Sequence, residues 1–211
     1  LRLEPGRGGG DGPVIVHICD EGKPIDAARP SLALELARAG RTVLTLDVRG
    51  AGETDPRDRA KLASLTKYDA QQFGFDAVAV GTAQLGTTLA AMQTLDVIRA
   101  LDWLNAPGAS ALAGRPVFLV GEGVGGVWAL MAAALDPRPA GVACVQTIPS
   151  YRWIVDAQYY DCRDYFWVPR ALATFDLPDL LALVAPRPAA WIDPMDAAPA
   201  PAPPDRCRAL W

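Results

Sequence analysis

The sequence predicts an α/β domain with a doubly wound, mostly parallel sheet, and three observations carry that prediction. Short apolar, β-branched runs recur at residues 13–18, 41–46, 117–120, 142–145 and 189–192. Segments with apolar residues three and four apart stand between them. Turn-forming residues close the runs. Strands apolar on both sides need cover on both sides, and a parallel sheet with helices on each face provides it.

Taken in order, Pro13-Val-Ile-Val-His-Ile18 is a buried strand closed by Cys19-Asp-Glu-Gly22. Residues 31–39 form a helix with Leu32, Leu36 and Ala39 on one face and Gly40 as its stop. Residues 41–46 form the next strand, and Asp47 to Pro56 is turn chemistry throughout. Residues 57–80 read as a loop-rich excursion. From Thr82 to Asn105 a single long amphipathic helix is expected, with Leu85, Leu89, Met92, Leu95, Ile98, Leu101 and Leu104 as its stripe.

Two more strands, at 117–120 and 142–145, flank a helix that begins near Val124. Residues 148–170 crowd Tyr151, Trp153, Tyr159, Tyr160, Tyr165, Phe166 and Trp167 together. Such a segment either lines a ligand pocket or caps the core. Asp176 is placed to N-cap a helix running to Val184, and residues 189–192 are the last strand. The organisation is one domain over residues 13–196 followed by a Pro/Ala-rich tail, 197–211, expected to be extended and free of hydrogen bonds.

Composition bounds the function. The chain is 51% hydrophobic and 21% charged, which suits a compact core. A net charge of −4 without a Lys/Arg block argues against nucleic acid as a partner. No apolar stretch reaches the roughly 18 residues that span a bilayer, so no membrane partner is expected. Cys19, Cys144, Cys162 and Cys207 lack metal-ligand spacing, His17 is the sole histidine, and no metal or cofactor is called for. Cys144 reads as a small buried hydrophobe.

The chemistry concentrates at Gly121-Glu-Gly-Val-Gly-Gly126, between an apolar strand and a helical run. Two constructions share that position: the G-x-S-x-G nucleophile elbow, and the G-x-G-x-x-G turn that holds a dinucleotide pyrophosphate. The letters match the second literally, through Gly121, Gly123 and Gly126. Its context does not. The fingerprint usually opens its domain, and the next strand should end in Asp or Glu, whereas this one ends Val145-Gln-Thr147.

Other motifs favour the elbow. Asp47-Val-Arg-Gly-Ala-Gly-Glu-Thr54 resembles the D-x-R-G-x-G-x-S turn of α/β-hydrolases, and Asp96-Val-Ile-Arg-Ala-Leu-Asp-Trp-Leu104 resembles their D-x-x-R-A-x-D-x-L helix. Ala185-Pro-Arg-Pro188 with Trp191-Ile-Asp-Pro-Met-Asp196 resembles the A-P-R-P strand that carries the triad acid. In this order the motifs resemble the acetyl-xylan-esterase-like and dienelactone-hydrolase-like branches of the superfamily, over roughly residues 13–196.

The resemblance implies an ester-hydrolase fold without its first strands and its last strand, as in a piece or an eroded copy of a larger protein. With no Met at residue 1, a leader or a domain could precede the chain, which would allow a secreted or periplasmic setting. It implies Gly123 at the nucleophile position and Asp196, with Asp193 as second choice, at the acid position. A glycine cannot attack and no histidine follows the acid, so the site is read as vestigial.

Val124 would supply one backbone oxyanion donor, and His17 and Cys19 lie where the rest of that hole would be. For His17 a buried ring satisfied by backbone hydrogen bonds is the favoured expectation. Cys19 would need a nearby base and a lowered pKa to serve as nucleophile. Asp47, Arg49 and Glu53 are expected to hold their loop, and Asp96, Arg99 and Asp102 to form an ion-pair face on a helix. A non-catalytic domain is the first reading, with a small ester or carbohydrate ligand, an adjoining hydrolase domain or a partner protein. An active carboxylic-ester hydrolase completed by residues from elsewhere is the second, and a dinucleotide-binding domain the third.

Overall fold

The computed structural model describes residues 2–4, 12–23, 31–54, 75–106, 112–160, 168–198 and 200–210. The strands are β1 (Arg2–Glu4), β2 (Val14–Cys19), β3 (Thr42–Leu46), β4 (Val117–Glu122), β5 (Gly141–Val145) and β6 (Ala189–Ile192). They form one sheet in the order β1-β3-β2-β4-β5-β6. All neighbours run parallel except β1, which pairs antiparallel with β3 at the edge. The strand at 117–120 is therefore central. β1 is one strand more than the sequence led us to place before Val14, because three residues are too few to show a period.

The helices are α1 (Leu32–Arg38), α2 (Phe75–Gln84), α3 (Leu89–Asn105), α4 (Gly125–Leu135), α5 (Tyr151–Asp156), α6 (Leu177–Val184) and α7 (Pro204–Arg208). Residues 125–133 of α4 are all buried, so the helix is apolar all round because the sheet, α3 and α6 enclose it. Val14, Val16, Ile18, Leu44, Leu46, Leu119 and Cys144 meet this layer from the sheet. Val43 and Thr45 alternate with Leu44 and Leu46, point the other way, and are buried where α1 packs on β1 and β3. Helices thus cover both faces. Each fully buried Leu or Val in these layers contributes about 1.5–3 kcal/mol of transfer free energy.

Several expectations need correction. The helix expected from Thr82 to Asn105 is two helices, broken where Gly86 takes φ +75° and Thr88 caps α3 by accepting from the Ala91 amide at 3.0 Å. Its buried face is Leu89, Ala90, Gln93, Thr94, Val97, Ala100, Leu101 and Leu104, while Leu85 and Leu95 are exposed. Counting only large residues misplaced the stripe, because α3 approaches its neighbours through small side chains. On α1 the expected face is displaced as well: Ala33 and Leu34 are buried, Leu32 and Leu36 are half-buried, and Ala39 is exposed. Gly40, at φ +84°, does end that turn.

Residues 55–74, most of the expected excursion, lie outside the described residues, and 75–84 is helical. Of the aromatic segment, Tyr151 and Trp153 are buried on α5 and Tyr159 and Tyr160 are exposed. Cys162, Tyr165, Phe166 and Trp167 lie outside the described residues.

The tail is not hydrogen-bond-free. The Asp196 amide donates to Ala200 O at 2.8 Å and the Ala202 amide to Pro194 O at 2.7 Å, around a Met195–Pro201 bridge. α7 follows, and Ala202, Cys207 and Leu210 pack against the core. Proline removes its own donor but leaves the alanines between to bond.

Candidate functional site at the strand-to-helix turn

The sheet order sets the location. From β2 the chain crosses to β3 on one side and, by way of α2 and α3, to β4 on the other. The connections therefore diverge between β2 and β4, and in open α/β sheets the carboxyl ends of the strands at such a divergence are where a ligand crevice is expected. Asp20 follows β2, Glu122 ends β4, and Gly123 and Val124 form the turn into α4.

Each glycine of the hexapeptide has its own cause. Gly123 sits at φ +60°, which side chains of L residues rarely adopt. A Cβ on Gly121 would lie 2.3 Å from Gly125 O and 2.4 Å from Gly126 Cα. One on Gly125 would lie 2.3 Å from Ile18 O, and one on Gly126 would run into Thr147 Oγ1. Contact between the helix and the strand ends fixes these three residues, without reference to any phosphate.

Neighbouring strand ends brace the turn. The Gly123 amide donates to Val145 O at 3.0 Å, and Thr147 Oγ1 donates to Gly123 O at 2.9 Å. The Gln146 amide reaches Ile192 O at 2.9 Å and the Met195 amide reaches Thr147 O at 3.3 Å. Gln146 and Asp193 also take positive φ, +49° and +47°. Three adjacent strands therefore end in left-handed residues, two of them strained. Among the described residues the Val124 amide, at the N-cap of α4, meets no acceptor.

The acid positions lie on this same rim. Asp196 accepts from the Ala197 amide at 2.7 Å and from Arg206 Nη1 at 3.1 and 3.2 Å. Asp193 is exposed. Neither meets an imidazole: His17, 2% exposed, places Nε2 3.2 Å from Glu122 Oε2. Its partner is thus a carboxylate two strand residues further toward the carboxyl ends, not the backbone expected, because pleating puts His17 and Glu122 on one face of adjacent strands. Cys19 is not activated. Burial, then the Asp20 carboxylate 3.7 Å from Sγ, push its pKa up to about 12, so it is a thiol at neutral pH. Cys144 is fully buried and pushed up to about 12 by desolvation alone. Cys19, Cys144 and Cys207 are free of disulfides.

The turn after β3 is structural. Asp47 accepts from the amides of Lys23 at 2.6 Å and Glu53 at 3.0 Å, and Lys23 Nζ bonds Glu53 at 2.7 Å. Arg49 holds Asp96 bidentately, with Nε at 2.8 Å from Oδ2 and Nη2 on Oδ1. The face expected of Asp96, Arg99 and Asp102 is therefore split. Arg99 pairs with Asp102 at 2.8 Å, and Asp96 turns to the loop. A cavity of about 490 Å³ opens here, lined by Asp47, Arg49, Asp96, Arg99 and Trp103, but no residue of the turn at Gly123 lines it.

Sequence reasoning passed over Asp20, Glu122 and Thr147. The signal was positional, since all three end or directly follow strands whose carboxyl ends adjoin the turn at Gly123.

No family model and no curated protein sequence matches the chain. Solved structures do. A putative acetyl xylan esterase from Bacteroides fragilis superposes with a TM-score of 0.62 at 18% identity, over 87% of this chain and 52% of that one. Est1E from Butyrivibrio proteoclasticus, with ferulic acid bound, gives 0.60 at 13% identity, over 99% and 79%. A CE15 glucuronoyl esterase from Caldicellulosiruptor kristjansonii gives 0.54 at 18%, over 90% and 55%. The chain has the α/β-hydrolase fold. It spans about half the length of the Bacteroides esterase.

Proposed function

We propose that the chain is a non-catalytic α/β-hydrolase-fold domain related to carbohydrate esterases of the acetyl-xylan type. It would bind a small ester or carbohydrate ligand, or dock on an adjoining hydrolase domain or partner protein. One observation carries this reading: at the turn where such a fold presents its nucleophile the chain has Gly123, with no side chain, while its one histidine is engaged by Glu122 on the strands. Without a nucleophile and a base, neither acyl transfer nor its general-base step can begin.

The esterases among the structural neighbours support the kinship, and the pairing of Asp196 with Arg206 fits an acid that no longer orients an imidazole. The braced turn with its Val124 amide favours the second reading, an ester hydrolase whose nucleophile and base come from elsewhere. A dinucleotide site has less behind it, since Gly121, Gly125 and Gly126 are accounted for by packing.

The test is hydrolysis of p-nitrophenyl acetate by the purified chain, with fluorophosphonate labelling alongside. We expect background rates and no label. Turnover abolished by replacing any single serine or cysteine would overturn the non-catalytic reading.

A further inference from the structure

The cavity beside α3 takes no part in the turn at Gly123, and it has the make-up of a binding site of its own. Its volume of about 490 Å³ lies within the range of small-molecule sites, about 300–1,000 Å³. One face of α3 supplies Asp96, Arg99, Ala100 and Trp103, which recur three and four apart. The end of β3 and the turn after it supply Leu46, Asp47, Arg49 and Thr54.

The wall across from the helix is fixed in place. Arg49 is tied to α3 at three points: its amide donates to Asp96 Oδ2 at 2.9 Å, its carbonyl accepts from Gln93 Nε2 at 3.0 Å, and its guanidinium forks onto Asp96. Gln93 is fully buried, yet its Oε1 has no hydrogen-bond partner. An unpaired buried acceptor is costly, and here the cost falls on the residue that orients Arg49.

These bonds leave hydrogen-bonding capacity of both kinds at the cavity. Among the described residues, Arg49 Nη1, Arg99 Nε and Nη2, and Trp103 Nε1 meet no acceptor. Asp96 Oδ1 accepts only from Arg49 Nη2, and Thr54 Oγ1 gives its proton to Val48 O and Ala51 O, so both oxygens keep lone pairs. Two guanidiniums and two carboxylates line the cavity, and their charges cancel. The Trp103 indole is 39% exposed, with Leu46 and Ala100 adding apolar surface.

We propose that this cavity binds a neutral sugar ring, with the Trp103 indole against its C–H face and Arg49, Arg99 and Asp96 on its hydroxyls. An anion would meet Asp47 and Asp96, a cation Arg49 and Arg99, and a neutral molecule meets no net charge. A ring without hydroxyls would strip water from the charged groups and return no bond. A hydroxyl donates and accepts, so neighbouring hydroxyls of one ring use a carboxylate and a guanidinium side by side. The indole then buries the apolar face of the ring. The site lies apart from the turn at Gly123 and holds its ligand whether or not that turn performs chemistry.

The test is titration of the full chain with xylobiose, cellobiose and mannobiose, followed by calorimetry and by the Trp103 indole N–H resonance, with digalacturonate as the anionic control. At least one neutral disaccharide should bind and shift that resonance, which is assigned by its loss in Trp103→Phe. Trp103→Ala should weaken the binding about tenfold or more. Arg99, whose side chain is 72% exposed, gives a second variant that leaves the fold intact, and Arg99→Ala should weaken binding about threefold or more.

Silence toward all three neutral sugars, or tighter binding of digalacturonate than of any of them, overturns the proposal. So does sugar binding that both variants leave unchanged, which would place the ligand elsewhere and leave the non-catalytic reading standing. Ester turnover by the wild type would instead overturn that reading and leave this site in place.

Discussion

Arg206 donates to both carboxylate oxygens of Asp196, at 3.1 and 3.2 Å, and its guanidinium carbon lies 4.3 Å from the centre of the Trp153 ring. Three parts of the chain meet there: the loop after β6, the last helix and the buried face of α5. Arg206→Ala should lower stability by about 1 kcal/mol, the sum expected of a partly exposed ion pair and a cation–π contact. Arg206→Lys should recover little, since ammonium neither stacks nor forks. Urea midpoints decide it. An unchanged midpoint would mean that the bridge of Met195 to Pro201 fixes the tail by itself.

Gly121→Ala should be among the most damaging single changes, because the added methyl meets the backbone of Gly125 and Gly126 and no flexible side chain can give way. We expect a loss of about 3 kcal/mol or more, at the upper end of overpacking effects. Gly40→Ala has open space around its Cβ and carries only the penalty of φ +84°, about 1 kcal/mol. Thermal or urea unfolding of both variants gives the comparison, and equal losses would contradict the close approach of α4 to β4.

Arg187 in the A-P-R-P motif closes the far end of the same helix. Its guanidinium donates to Ala133 O at 2.7 Å, Asp136 O at 2.9 Å, Pro139 O at 3.2 Å and Val184 O at 3.2 Å. A cation at a helix C-terminus also opposes the negative end of the dipole. Arg187→Ala should cost about 2–3 kcal/mol, and Arg187→Lys less, by keeping the charge and losing the fork. Equal stability of the lysine variant and wild type would show that charge alone suffices.

Arg138 holds Asp136 below the usual carboxylate range through hydrogen bonds from Nε and Nη2. The ionised form is thus favoured by the fold. Its contribution is complete above the unfolded value of about 3.9 and is lost as pH falls through the lower folded value. Asp136→Asn should therefore flatten the dependence of stability on pH below about 4 and leave the slope near neutrality unchanged. Urea midpoints across that acid range check the sign, and an identical acid slope in the two proteins would refute it.

Much of the sheet was legible because its strands are apolar on both sides, and the order of motifs pointed to the fold. What escaped depends on distances between strands. Nothing local says that His17 faces Glu122, 105 positions away, or that Asp20 leans over Gly123. The break before α3 was written in Gly86 and Thr88, a stop and a cap, but a run of leucines spanning it concealed both. At Asp176 the local signal sufficed. It accepts from the Leu177 amide at 2.7 Å, and the Asp176 amide in turn donates to the Asp179 side chain at 2.7 Å.

The glycines at 121, 125 and 126 remove side chains so that a helix can rest directly on strand ends. Such a hexapeptide measures a gap. A search keyed to its letters would gather chains by how closely two pieces of backbone touch, mixing hydrolases, nucleotide carriers and proteins with no chemistry at all. What separates them is the one position that faces outward, and the residue from another strand that answers it.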